Sequence, residues 1–302
     1  MKGLLIFCIV VFTILITGCS SPTRMPYLGP TAPATSTWDR INASARKVAF
    51  KTLLTGQVQV PVSGVLNTSD KKTDIFDEKS MVVDVYAHWI RHPEKGDYLI
   101  DSGLDHRFAN SERGSLKGLI APWIVENSFQ ETGQDIGSQL TRHEVNLKGL
   151  FLTHVHGDHS AGIPALPPAV DIYLAHGESL HHYPLIMYSD HFEKIDSLLE
   201  IHFTHATQIE GLGQALDIWG DGALWAIPTP GHTHGNLSFL VNTDDGWVLL
   251  TGDASHTRWG FENNVIPGWS EDDAQARDSL SRLRRFALSH PEVRVIYGHE
   301  GG

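Results

Sequence analysis

The stretch "LTHVHGDHSAG", Leu152–Gly162, places three histidines and one aspartate within six residues. In an extended segment the side chains of residues i and i+2 point to the same side, so His154 and His156 can bind one metal ion. If a helix starts directly afterwards, Asp158 and His159 diverge from that pair and can reach a second ion. Imidazole nitrogens and carboxylate oxygens suit Zn²⁺, Mn²⁺ or Fe²⁺. Taken alone, the stretch also fits a solvated turn that is rich in histidine.

Three further residues of metal-binding type stand where predicted strands end. His232 lies in "TPGHTHGN", Asp253 in "LLTGDAS" and His299 in "VIYGHE". Each follows a buried apolar run, at the point where the chain leaves the sheet. Four such segments in one chain favour a metal site over a solvated turn.

The composition limits both the partners and the ligands. The chain has 302 residues and a formal net charge of -12, which argues against a nucleic-acid partner because such a partner needs a basic face. Its two cysteines, Cys8 and Cys19, both lie in the N-terminal segment. A metal site in the body of the protein must therefore use histidine, aspartate or glutamate.

The N-terminal segment "MKGLLIFCIVVFTILITGCSS" has the pattern of an export signal. Lys2 precedes an apolar run, Leu4–Ile16, which is shorter than the ~20 residues that span a bilayer. The ending "ITGC" resembles a bacterial lipobox, which implies a signal peptide over 1–18 and a lipid on Cys19. No aspartate follows Cys19, and the resemblance to sorted lipoproteins then implies the outer membrane of a Gram-negative cell, facing the periplasm. An ordinary signal peptide or a short anchor helix is the alternative.

The rest of the chain predicts a tether followed by one domain. Residues 19–41 are rich in Pro, Ser and Thr, which predicts a flexible tether. Residues 42–302 alternate strand-like and helix-like segments, which predicts two sheets with helices outside. Helical structure is expected through residues 191–200. A later helix is expected to open at Ser270, with Asp273 three residues on in the capping pattern.

The four histidine and aspartate segments, in this order, resemble the metallo-β-lactamase superfamily over Val58 to Gly302. The resemblance implies an α/β fold, an αββα sandwich with a dinuclear metal site on one edge and a position left open for a bridging hydroxide. Two Zn²⁺ ions are expected, with Mn²⁺, Fe²⁺ or Co²⁺ as alternatives. By the same resemblance, the first ion is bound by His154, His156 and His232, the second by Asp158, His159 and His299, and both by Asp253.

The branch of the superfamily is indicated by the bridging aspartate and by the last third of the chain. True β-lactamases of this fold usually lack the residue that Asp253 resembles, whereas glyoxalase II thioesterases and N-acyl-homoserine lactonases keep all seven ligands. The segment "LLTGDASHTRWGFENN" and the later "VIYGHE" are more similar to the lactonases. A small acyl lactone or ester is therefore the expected substrate. A thioesterase, phosphoesterase or β-lactamase remains the alternative, and a non-enzymatic metal-binding lipoprotein is a remote one.

Two catalytic roles follow from the resemblance. Lactonases often carry a tyrosine three residues after the bridging aspartate, where this chain has His256. An imidazole N–H can donate to the same substrate oxygen, so His256 is expected to be a donor at the rim of the site. Asp158 is expected to pass a proton to the leaving group, in addition to ligation. Four aromatic residues are candidates for contact with an acyl chain: Trp123, Trp259, Phe261 and Trp269.

Overall fold

The computed structural model describes residues 22–110, 127–180 and 189–301. The predicted signal peptide over 1–18 and the predicted lipid site Cys19 lie outside these ranges. Within them, no helix combines the length and the apolar character needed to cross a membrane.

The described ranges contain strands, α-helices and short 3₁₀ turns. The strands are β1 (Thr23–Tyr27), β2 (Thr35–Ser36), β3 (Ala49–Pro61), β4 (Ser80–His92), β5 (Gly96–Ile100), β6 (Ser128–Phe129), β7 (Leu147–Phe151), β8 (Asp171–Ala175), β9 (Ser197–Ile201), β10 (Thr207–Ile209), β11 (Gly213–Asp217), β12 (Leu224–Pro228), β13 (Leu237–Thr243), β14 (Gly246–Leu250) and β15 (Arg294–Ile296). The α-helices are α1 (Trp38–Ser44), α2 (Val62–Val65), α3 (Ile136–Arg142), α4 (Gly157–Ser160), α5 (Arg258–Asn263) and α6 (Asp273–Ser289). The 3₁₀ turns are Lys71–Ile75, His106–Asn110, Ile163–Ala165, Ser189–Phe192, Phe203–His205 and Gly252–Ala254.

These strands form two mixed sheets. The first has the order β1-β9-β8-β7-β5-β4-β3-β6, and the second has the order β15-β14-β13-β12-β11-β10-β2. In the first sheet β5, β7, β8, β9 and β1 are parallel, so their carboxyl ends lie along one edge. In the second sheet β14 and β15 are parallel, and both also end at one edge. Residues that directly follow these strands are therefore brought close to one another.

The described core has four apolar clusters. One lies between the sheets, one lies under the helices on each side, and a fourth joins β3, β4 and α2. Alternate residues of β7 show the arrangement, since Leu150 packs in the outer layer with α3 and Phe151 in the layer between the sheets. On the far side of the second sheet, Leu249 of β14 packs in one cluster with Leu280 and Leu283 of α6. The predicted αββα sandwich is confirmed.

The segment that was predicted as a flexible tether differs in the part that the structure describes. Residues Thr23–Tyr27 form β1, which pairs in parallel with β9. Trp38 opens α1, is only 6% exposed, and packs its ring against Phe286 of α6 at 5.1 Å between ring centroids. The composition of this segment is typical of linkers. The described part is nevertheless ordered, because its backbone pairs with the edge strand β9 and Trp38 packs into the core.

Two further local expectations were wrong. The segment predicted as helix through residues 191–200 contains a 3₁₀ turn and then β9, because this short apolar run pairs with strands on both sides. The last long helix is capped by Asp272, whose carboxylate accepts from the backbone N–H groups of Ala274 and Gln275, and not by Ser270. Aspartate is as good an N-cap as serine, so the capping pattern alone could not choose between them.

Helix α6 offers a matched pair of leucines that tests the packing of the second sheet. Leu280 is completely buried, whereas Leu288 on the same helix is 69% exposed. We expect Leu280→Ala to lower the free energy of unfolding by about 2–5 kcal/mol, because it leaves a cavity in the core. Leu288→Ala should change it by no more than about 0.5 kcal/mol. Urea denaturation followed by circular dichroism measures both, and equal effects of the two variants would contradict this packing.

Candidate metal centre

The candidate ligands follow directly from the ends of strands at one edge of the sandwich. After β7 the chain runs through the buried residues Leu152 and Thr153 to His154 and His156, and α4 begins at Gly157. Asp158 and His159 lie in this one-turn helix, and the ring of His159 is 4.2 Å from that of His154 between centroids. The other ligands lie on the second sheet's connections: His232 between β12 and β13, Asp253 after β14, and His299 after β15.

One cluster of candidate ligands consists of His154, His156, His232 and Asp253. The three imidazole rings are close to mutually perpendicular, with interplanar angles of 79°, 87° and 85° and centroids 4.5–4.9 Å apart. Nε2 of His154 lies 3.6 Å from Oδ2 of Asp253, and Nε2 of His232 lies 3.3 Å from the same oxygen. One ligand atom from each of the four residues lies within 4.8 Å of the others.

A second cluster consists of Asp158, His159 and His299. Oδ2 of Asp158 lies 3.7 Å from Nε2 of His159 and 3.3 Å from Nε2 of His299. Asp253 reaches this cluster too, since its Oδ1 is 3.4 Å from Nε2 of His159 and its Oδ2 is 3.5 Å from Nε2 of His299. The structure thus brings all seven sequence-predicted ligands together and places Asp253 between the two groups.

The donor atoms fit divalent ions of the zinc type. Nε2 of His154, Nε2 of His159 and Oδ1 of Asp253 are buried and have no hydrogen-bond partner, which is costly for polar atoms unless another group binds them. Ligands about 2.0–2.1 Å from a tetrahedral ion lie roughly 3.3 Å apart. The distances of 3.3–3.7 Å between nitrogens and carboxylate oxygens of the seven candidate ligands are close to this value.

Burial and charge prepare the ligands for metal binding. Burial lowers the pKa of His156 to about 4 and holds the pKa values of His154 and His232 well below the usual range, so these rings are neutral, the state in which an imidazole can bind a metal ion. Burial also opposes a charged His299, but Asp253 and Asp158 outweigh it and raise the pKa to about 9. An ion that binds there displaces a proton, so metal binding should be coupled to proton release.

The ligands are held by residues that the sequence analysis did not single out. Asp101 follows β5 with a left-handed φ of 58°, and its carboxylate accepts from Nδ1 of His159 at 2.7 Å and from the backbone N–H of Thr153 at 2.8 Å. The backbone carbonyl of Asp84 accepts from Nδ1 of His299 at 2.8 Å. These bonds fix which ring nitrogen faces the centre. The strand-end carboxylate in "LIDSG" was a visible signal for Asp101.

Glu178 joins the two loops that carry the first cluster. Its buried carboxylate accepts from the backbone N–H of Val155 at 3.1 Å on one loop. On the other loop it accepts from Oγ1 of Thr233 at 3.0 Å and from the backbone N–H of Gly235 at 2.8 Å. Burial raises the pKa of Glu178 to about 7, although these hydrogen bonds lower it. Its place soon after β8, in "AHGES", was the only signal in the sequence.

One glycine is required by the close approach of two ligand segments. A Cβ on Gly298 would lie 2.4 Å from Oδ1 of Asp253 and 2.8 Å from the backbone oxygen of Gly252. Both distances are shorter than real Cβ contacts. Glycine before His299 therefore allows β15 to deliver its histidine next to Asp253.

His256 lies deeper than the rim position that the sequence predicted. It is only 6% exposed, and Nε2 is 3.0 Å from Oδ2 of Asp253. Nδ1 is 3.0 Å from the backbone oxygen of Val65, which can only accept, so Nδ1 carries a proton. Nε2 faces the second acceptor, Asp253, so the ring donates there when it carries its second proton. His256, Asp253 and His299 also offer a third set of mutually close ligand atoms.

The three aromatic candidates that the structure describes lie in different environments. Phe261 belongs to the buried core, and Trp259 packs edge-on against Phe76 at 4.9 Å between centroids. Trp269 is 54% exposed and its ring covers Gly64, beside the carbonyl of Val65 that contacts His256. Of the three described candidates, Trp269 is the one with an exposed side chain. Trp123 lies outside the described residues.

Comparison with known proteins identifies the same superfamily that the sequence segments resemble. The family model for the metallo-beta-lactamase superfamily matches residues 81–299. The chain is 29% identical over 216 residues to the N-acyl homoserine lactonase AttM of Agrobacterium fabrum, covering 70% of this chain and 80% of the relative. It is 27% identical over 218 residues to an N-acyl homoserine lactonase of a Bacillus species, with the same coverage.

Solved structures share the fold at lower identity. A quorum-quenching N-acyl homoserine lactone lactonase superposes with a TM-score of 0.65 at 20% identity, covering 85% of this chain and 94% of that one. The dizinc quorum-quenching lactonase AidC superposes with a TM-score of 0.54 at 14% identity, covering 85% and 90%. The sandwich, the strand-end ligands and the match over most of the chain establish that this protein belongs to the metallo-beta-lactamase superfamily.

Proposed function

We propose that this metal-dependent hydrolase opens the ester ring of N-acyl homoserine lactones or closely related lactones, using two metal ions. The observation that carries the proposal is Asp253, whose two oxygens lie within 3.6 Å of candidate ligand nitrogens in both clusters. The relatives at 27–29% identity, which are N-acyl homoserine lactonases, support the choice of substrate.

The residues suggest how the ring is opened. Divalent ions bound by the two clusters would lower the pKa of water enough to supply hydroxide at neutral pH and would polarise the substrate carbonyl. Asp158 is the more accessible of the two carboxylates, since its side chain is 30% exposed compared with 3% for Asp253. We assign to Asp158 the transfer of a proton from the attacking water to the ring oxygen when the carbon–oxygen bond breaks. The products are a carboxylate and a hydroxyl group.

His256 completes the proposed catalytic set. Its Nδ1–H is held by the carbonyl of Val65, which orients Nε2 towards Asp253 and the ions' site. A doubly protonated ring at this position can donate from Nε2 to a substrate oxygen that approaches Asp253. This is the role that a tyrosine fills in many lactonases, in keeping with the resemblance described above.

A hydrolysis panel on the zinc-loaded protein tests the substrate class. We expect kcat/KM for N-hexanoyl-homoserine lactone to exceed that for a thioester, a phosphodiester and a cephalosporin by ~10²-fold, because a site shaped for one polar substrate discriminates strongly against others. Asp253→Ala is the control and should abolish the activity. A faster reaction with the thioester or the cephalosporin would contradict the proposal.

Elemental analysis tests the number of ions at the centre. After reconstitution with zinc and removal of loosely bound metal by gel filtration, we expect close to two ions per chain, because the ligands form two sets that share Asp253. His232→Ala and His299→Ala should each lower the count by about one, since each removes a ligand of a different set. Chelation should lower the melting temperature, because the ions bind only the native state. A wild-type count of one would refute the dinuclear proposal.

Substitution of His256 tests its assignment as donor. His256→Ala should lower kcat ~10-fold on the best lactone, less than the strongest oxyanion donors are worth, and leave the metal count unchanged. His256→Tyr should keep most of the activity, because a phenol can donate the same bond. His256→Phe is the matched control, with a ring but no donor, and should resemble alanine. If kcat and KM of the alanine variant equal those of the wild type, or if the variant loses an ion, the donor role is wrong.

A further inference from the structure

A second group of metal-binding side chains lies at the ends of β8 and β9. Ala175 pairs with Ile201 in the parallel register of these strands, so the next residues, His176 and His202, come side by side. The backbone N–H of His176 donates to the oxygen of Ile201 at 3.0 Å, and the two imidazole rings stack at 4.1 Å between centroids. Glu200 precedes His202 by two residues and therefore projects from the same face of the strand.

The side chains of this outer cluster (His176, Glu200 and His202) converge on one point. Oε2 of Glu200 lies 3.0 Å from Nδ1 of His176 and 4.0 Å from Nε2 of His202. One ligand atom from each of the three lies within 4.8 Å of the others. The outer cluster shares no residue with the metal centre described above.

Arg24 on β1 prepares the carboxylate without occupying the shared oxygen. Its guanidinium binds Oε1 of Glu200 at 2.6 Å, which leaves Oε2 directed at the two histidines. Burial alone would raise the pKa of Glu200, but the bonds from Arg24 and His176 outweigh it and keep the carboxylate ionised. Ligating carboxylates are commonly hydrogen-bonded in this way by a further residue.

We propose that His176, Glu200 and His202 form an additional, solvent-open site for a late first-row divalent ion, Zn²⁺ or Cu²⁺. Two imidazole nitrogens and one carboxylate oxygen match the ligand preference of these ions, and three protein ligands leave a position for water. The side chain of His176 is 61% exposed and that of His202 is 27% exposed, so the ion exchanges freely with solvent. The outer site binds more weakly than the buried centre and fills when metal is in excess.

Copper added to the full, zinc-loaded chain tests this site. We expect one equivalent of Cu²⁺ to give an electron paramagnetic resonance spectrum with nitrogen hyperfine lines from imidazole. His176→Ala and His202→Ala should each weaken this binding at least ~10-fold and simplify the nitrogen hyperfine pattern, because one imidazole ligand is lost. His106→Ala, at an exposed histidine outside the described metal-binding groups, is the matched control and should leave the spectrum unchanged.

The same variants separate the outer site from the buried centre. Ions retained after gel filtration should respond to His232→Ala and His299→Ala, whereas the weaker copper site should respond only to the outer variants. Glu200→Gln keeps the size of the side chain and should also weaken copper binding. The proposal is overturned if the zinc-loaded wild type binds no copper with nitrogen ligands, or if His176→Ala and His202→Ala leave the copper spectrum intact.

Discussion

The buried carboxylate of Asp253 is the constraint on which the rest of the site depends. It is only 2% exposed, and removing an ionised carboxylate from water is costly unless positive charge surrounds it. Burial alone would raise its pKa, but His159, His256 and His299 hold the pKa well below the usual value. These histidines come from connections of both sheets. The negative charge of Asp253 therefore attracts residues from both sheets, and the two sheets must be correctly placed for the centre to form.

Two other buried carboxylates hold the ligand loops by hydrogen bonds. Asp101 holds the loop after β7 by a side-chain bond to His159 and a backbone bond to Thr153, and Glu178 ties that loop to the one that carries His232. Each carboxylate accepts hydrogen bonds from backbone N–H groups at the place where the regular pairing between strands has ended. A site on loops can thus keep the fixed geometry that metal ligation requires.

The sequence was most informative where spacing and chemistry coincide. The spacing of His154, His156, Asp158 and His159 depends only on local backbone geometry, and apolar runs before the other candidate ligands marked strand ends. These segments carry the family resemblance, which implied the sandwich and the seven residues that the structure brings together. The role of Glu178 could not be predicted, because a single glutamate forms no repeating sequence pattern and its hydrogen-bond partners lie 23 or more residues away. The depth of His256 depends on the carbonyl of Val65, 191 residues distant. The predictions for residues 191–200 and for the segment before Asn42 were wrong because pairing with distant strands, and not local composition, decides their structure.

Strand β1 also determines how the first sheet ends. It covers β9, and within the described chain it is the outermost strand on that side. An uncovered strand offers a row of unpaired N–H and C=O groups to other chains, and short length, charge and proline are features that suppress such pairing. Strand β1 has five residues and carries Arg24 and Pro26, whose ring removes one of the few donors that the edge would present. The N-terminal strand thus pairs with the edge of β9 and itself presents a short, charged edge with one donor fewer.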